Sequence, residues 1–135
     1  MPNRFPKTAH LRKPAEFDRV YEQDTYAADG VLVVNATANE LGITRLGLSI
    51  SRKYGPAVVR NRWKRLIREA FRLSYSGLPA GLDLVIRPKR GAEPVFEDIA
   101  NSLPQLVARV AKRLGQKSEV GSQKAEGRGQ KSEGT

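Results

Sequence analysis

Behind Pro14, whose missing N–H costs nothing in the first turn of a helix, Phe17, Val20 and Tyr21 recur at i, i+3, i+4 spacing and predict a short helix over residues 14–23. Val31 to Thr37 is a run of β-branched and apolar residues, and from Arg45 to Ser51 the residues Leu46, Leu48 and Ile50 alternate with small ones. Both read as strands, and the Ala-Asn-Glu-Leu-Gly turn region between them predicts an antiparallel pair. Tyr54-Gly55-Pro56 ends the strand pattern, and no Gly or Pro interrupts the helical run from Ala57 to Arg72. Leu82 to Arg87 forms a further strand, set between the Gly77 to Gly81 turn and Pro88. A last helical pattern spans Pro94 to Leu114, where Pro104 is expected to kink the helix or divide it, since proline loses a backbone bond and clashes with the preceding turn.

Residues 115–135 break with all of this. They contain Gly-Gln-Lys-Ser-Glu twice, at 115–119 and 129–133, and Val120 is their one aliphatic side chain larger than Ala. Such a segment cannot offset its ordering entropy by burial, so the expected organisation is one domain, residues 1–114, followed by a disordered low-complexity tail, residues 115–135.

The chain has 135 residues, 39% of them apolar, enough for a single buried core. Nothing approaches the roughly 20 consecutive apolar residues of a membrane span, and no apolar stretch follows the N-terminal charges as a secretory signal would require. Cysteine is absent, which removes disulfides, thiolate nucleophiles and the usual structural zinc sites and is compatible with a cytoplasmic location. The formal net charge of +10 points to a polyanionic partner. Its distribution matters more than its size. Residues 1–44 hold five basic and six acidic side chains, whereas residues 45–72 hold nine basic and one acidic.

Most of that excess belongs to the helix after Pro56. At about 100° per residue, Val59, Trp63, Leu66, Ile67 and Ala70 fall within an arc of roughly 80° as one apolar stripe, with Phe71 at its edge. Arg60, Asn61, Lys64, Arg65, Arg68 and Arg72 occupy the remaining surface, with Arg62 and Glu69 on the other flank. Like charges at i, i+4 spacing cost an isolated helix a few tenths of a kcal/mol each, so a sequence that keeps Arg60, Lys64, Arg68 and Arg72 gains something from a partner. An ordinary solvated face mixes both signs, and guanidinium forks match phosphate oxygens. A membrane-surface helix would use its apolar face for insertion, but here the Trp63 stripe is suited to packing on a sheet.

The run from Leu48 to Arg72, LSISRKYGPAVVRNRWKRLIREAFR, resembles the signature of the bacterial ribonuclease P protein subunit. The likeness rests on Arg60-Asn61-Arg62, on Lys64-Arg65 and Arg68-Glu69 after it, and on Lys53, Gly55 and Ala57-Val58 before it, and it extends over about residues 4–114. It implies an α/β fold, a single-domain α-β-β-β-α-β-α sandwich with a central mixed sheet, similar to ribosomal proteins, in which the basic helix makes a left-handed βαβ crossover. It also implies a function in which the protein binds a large catalytic RNA, and the two together remove the 5′ leader of precursor tRNA. The chemistry would belong to the RNA and its Mg2+ ions. Arg52, Lys53, Arg60, Asn61, Arg62, Lys64, Arg65 and Arg68 would contact the catalytic RNA. The sheet face and first helix would form a cleft for the single-stranded leader, using Phe17 and Tyr21 with Asn35 and Arg87. Two departures from the family pattern stand out: Pro104 in the last helix, and the lack of an aromatic residue in the strand over 31–37, where Asn35 is expected to hydrogen-bond instead.

Other functions are poorly supported. A self-contained nuclease needs clustered carboxylates for metal or a histidine pair, but His10 is the only histidine and Glu97-Asp98 the only adjacent acids. A DNA-binding reading lacks the second helix of a helix-turn-helix. The remaining alternative, a non-enzymatic ribosomal-type RNA-binding protein, draws on charge alone.

Overall fold

The computed structural model describes residues 9–123. In chain order these form α1 (Pro14–Gln23), β1 (Tyr26–Ala28), β2 (Leu32–Ala38), β3 (Arg45–Leu48), α2 (Ala57–Ser74), β4 (Leu82–Pro88) and α3 (Phe96–Gln123). This is the α-β-β-β-α-β-α order that the family resemblance implied. Hydrophobic patterning had not disclosed β1, because three residues are too few to show alternation.

The four strands make one mixed sheet in the order β1-β2-β4-β3. β1 pairs antiparallel with β2 and β2 antiparallel with β4, whereas β3 and β4 run parallel, so α2 is the crossover of a βαβ unit. The expected hairpin between the second and third strands does not form, since β4 lies between them. The reason is burial on both faces. Leu82, Asp83, Leu84, Val85 and Ile86 are all buried, and a strand without a solvated face belongs inside a sheet rather than at its edge.

Alternation divides the sheet's side chains between two layers. Leu32, Val34, Ala36, Leu46, Leu84 and Ile86 face α2 and α3, where Trp63, Ile67, Phe71, Ile99, Leu103 and Leu106 complete the main core. Phe71, placed at the edge of the stripe by helical geometry, is fully buried. On the opposite face α1 covers a smaller cluster of Leu11, Val20 and Val85, with Phe17 packed against it.

Pro104 does not divide α3, which continues through it. Leu106, Val107 and Val110 beyond the proline are fully buried, and at about 1.5–3 kcal/mol per buried aliphatic side chain they outweigh a proline penalty of about 3 kcal/mol. The helix backbone also runs past Leu114 to Gln123, into the segment expected to be a disordered tail. The rest of that expected tail, residues 124–135, lies outside the described residues.

Candidate RNA interface

α2 is launched by a loop of unusual conformation. Arg52–Tyr54 make one 3-10 turn, and Gly55 follows at φ 128°, a value that side-chain-bearing residues rarely adopt. Arg60 Nε donates to the Gly55 carbonyl at 3.1 Å, tying the loop with Arg52 and Lys53 to the first turns of the helix. The Lys53 ammonium lies 5.7 Å from the centroid of the Tyr54 ring, a cation–π distance.

Trp63 and Ile67 anchor α2 in the core, which turns Asn61, Arg62, Arg65 and Arg68 outward as exposed side chains, with Arg60 and Lys64 half-buried on the flank. Arg68 lies close enough to the N-terminal segment for its charge to act on His10. Burial first, then the charges of Arg12 and Arg68, hold that imidazole below its ordinary pKa. The segment itself is fixed along β3, where Leu11 N–H donates to the Leu46 carbonyl at 2.9 Å.

Among the described residues, Arg52, Lys53, Arg60, Arg62, Lys64, Arg65 and Arg68 form no ion pair. The other two basic residues of the 45–72 segment do. Arg72 pairs with Glu69 through two hydrogen bonds of 3.1 and 2.5 Å, so the two charges offset each other locally. Arg45 turns to the other side of the sheet, donating from Nε and Nη2 to Asp83 at 2.8 Å each and from Nη1 to Glu16 at 3.3 Å. All eight side chains expected to contact catalytic RNA are therefore together on one helix and the loop before it.

Asp83 is the hub of the α1 face and is fully buried. Besides Arg45 it accepts hydrogen bonds from Arg19 at 2.5 Å and Asn39 at 2.7 Å. Burial by itself would raise its pKa, but the hydrogen bonds from Arg45 and Asn39 and the positive charge of Arg45 prevail and hold it below the ordinary aspartate range. Glu16 also caps α1, accepting from the Arg12 and Lys13 backbone N–H groups at 2.8 and 3.0 Å. Arg19 and Glu16 thus fasten α1 to the sheet through charge, in addition to the small apolar cluster beneath it. The sequence offered one signal of this network that pattern reading passed over: a carboxylate inside the apolar run of β4 demands partners.

The four residues expected at a single-strand cleft lie on this same α1 face but differ in availability. Phe17 is half-buried against Gly47, where a Cβ on Gly47 would come within 2.8 Å of the ring. Tyr21 is exposed. Asn35 is nearly buried, and its Oδ1 accepts a hydrogen bond from Arg87 Nη1 at 2.8 Å, so it orients Arg87 rather than standing free. Tyr26 on β1, opposite Asn35 in register and about half exposed, is an aromatic residue of this face that sequence reasoning missed. The sheet separates the α2 and α1 surfaces.

Fold and charge together define a small mixed α/β RNA-binding protein. The family model described as ribonuclease P matches residues 5–111. Among similar proteins, the ribonuclease P protein component of Lachnoclostridium phytofermentans is 40% identical over 97 residues, covering 71% of this chain and 84% of that protein. That of Clostridioides difficile is 36% identical over 107 residues, covering 78% of this chain and 94% of that protein. The solved structure of the Staphylococcus aureus RNase P protein superposes with a TM-score of 0.68 at 35% identity, covering 78% of this chain and 97% of that one. The Thermotoga maritima RNase P protein does so with 0.67 at 28% identity, covering 74% and 96%. The chain belongs to the ribonuclease P protein component family, and is a subunit of a ribonuclease.

Proposed function

We propose that the chain works through two surfaces on opposite sides of its sheet. The α2 face and the Arg52–Lys53 turn dock on the catalytic RNA, and the α1 face holds the single-stranded 5′ leader of precursor tRNA. The observation that carries this reading is the set of seven basic side chains between Arg52 and Arg68 that have no carboxylate partner among the described residues. Folded RNA is gripped mainly through phosphates, which such a face suits, whereas single strands are held by stacking and charge, which Phe17, Tyr21 and Arg87 offer.

Cleavage chemistry is assigned to the RNA with its Mg2+ ions. Among the described residues, no three His, Cys, Asp or Glu side chains cluster so as to hold a metal ion, and no protein ligand is assigned. Asp83, the most buried carboxylate, is saturated by Arg45, Arg19 and Asn39. No described helix is long and apolar enough to cross a membrane, and a cytoplasmic site of action accords with the tRNA substrate.

The test is cleavage of precursor tRNA with and without the catalytic RNA. RNA-dependent cleavage at physiological salt should rise when the protein is added, and the protein alone should be inactive. Cleavage by the protein alone, or no stimulation, would refute the proposal.

A further inference from the structure

Tyr26 lies at one end of a row that crosses the whole sheet. It pairs with Asn35 on β2, Asn35 with Val85 on β4, and Val85 with Gly47 on β3. Directly paired residues present their side chains on the same face, so Tyr26 projects on the α1 side. Phe17 rests on Gly47 at the far end of the row. Three strand spacings of about 4.8 Å separate the two ends, about 14 Å in all, or about four nucleotides of a stacked strand at 3.4 Å each.

The surroundings of Tyr26 suit a nucleotide. Its side chain is 51% exposed, a large aromatic surface left in water on an edge strand. Arg87 is held by Asn35, the cross-strand neighbour of Tyr26. From the α3 side of the sheet, Arg113 donates a hydrogen bond to the Tyr26 carbonyl, which brings a second guanidinium to the backbone of the edge strand. An exposed aromatic with basic side chains on the neighbouring backbone and strand is a combination that binds single-stranded nucleic acid, the ring stacking on a base and the cations following the phosphates.

We propose that Tyr26, with Arg87 held on its cross-strand neighbour, is a base-stacking site that extends the leader track across the sheet to the β1 edge. This rests on the reading of the α1 face as the leader cleft, and the experiment separates the two. Holoenzymes carrying Tyr26→Ala, Tyr26→Phe or Phe17→Ala would be compared for binding to precursor tRNA with a long leader and to leaderless tRNA. Single 2-aminopurine substitutions along the leader would report stacking position by position. Tyr26→Ala should reduce the preference for the precursor by about 5- to 150-fold, the loss of one stacked base, while Tyr26→Phe retains it. The 2-aminopurine that brightens in Tyr26→Ala should sit at a different leader position from the one that brightens in Phe17→Ala. If Phe17→Ala abolishes leader preference and Tyr26→Ala leaves it intact, the Tyr26 site is refuted and the cleft stands. An equal loss for precursor and leaderless tRNA in Tyr26→Ala also refutes the site. If neither alanine variant alters the preference, the leader reading itself has failed.

Discussion

Replacing Arg65 and Arg68 together by alanine probes the α2 surface where its contribution can be worked out. Both side chains are exposed and have no ion pair among the described residues, so their removal leaves no buried charge behind and no described partner unsatisfied. If each neutralises one phosphate, the slope of log K against log salt should flatten by about 0.7–0.9 per residue, or about 1.4–1.8 for the pair. For contacts that vanish at 1 M salt, this slope corresponds to a binding loss of about 25- to 60-fold at 0.1 M and about 4- to 5-fold at 0.4 M. The assay is a filter-binding or fluorescence titration of the catalytic RNA across that salt range. Glu69→Ala with Arg72→Ala serves as the control, because it removes a mutually paired positive and negative charge together and should leave the slope nearly unchanged. An unaltered slope in the variant lacking Arg65 and Arg68, or an equal change in the control, would refute the placement of the RNA on this helix face.

Two further perturbations address the α1 face. Asp83→Ala strips a fully buried carboxylate from Arg45, which keeps Glu16 as a partner, so denaturant unfolding should show a loss near the low end of the range for broken buried pairs, about 3 kcal/mol. Because the folded pKa of Asp83 is depressed, this contribution is complete above the unfolded value of about 3.9 and fades as pH falls below it. The stability gap between wild type and variant should therefore be constant between pH 5 and 7 and narrow below about pH 4. Gly47→Ala would set a Cβ 2.8 Å from the Phe17 ring and 3.1 Å from Leu11 Cβ, forcing the ring aside. It should cost about 1–3 kcal/mol of stability and weaken precursor tRNA binding more than leaderless tRNA binding, whereas equal effects on both would place Phe17 in a purely structural role.

The α2 surface was almost wholly legible before any coordinates, because everything that makes it is local. An uninterrupted helical run fixes side-chain directions at about 100° per residue, so the Trp63 stripe dictates which arginines face outward. Phe71, at the edge of that stripe, was harder to judge, since the neighbours that bury it come from other elements. The α1 face was legible only in part. Helical spacing sets Phe17 and Tyr21 on one face and the family resemblance implies their role, but Asn35 was expected to hydrogen-bond in place of an aromatic, and its bond to Arg87 spans 52 residues. Arg45 adds to the basic count of the 45–72 segment, but composition cannot tell that a residue 38 positions away will claim it.

The sequence alone determined the first two helices, the basic face of the second, and the charge imbalance that makes a polyanionic partner the natural one. These depend on interactions within a few residues of each other, where geometry is nearly universal. Only the tertiary structure decided that β4 enters between β2 and β3, that α3 passes unbroken through Pro104, that Asp83 gathers Arg19, Arg45 and Asn39, and that Tyr26 shares a row with the residue beneath Phe17. Strand order and long-range ion pairs are settled by burial of the whole chain at once. A strand apolar on both faces moves to the centre, a buried carboxylate collects whatever cations the fold brings near, and neither demand says in advance which distant residue will meet it.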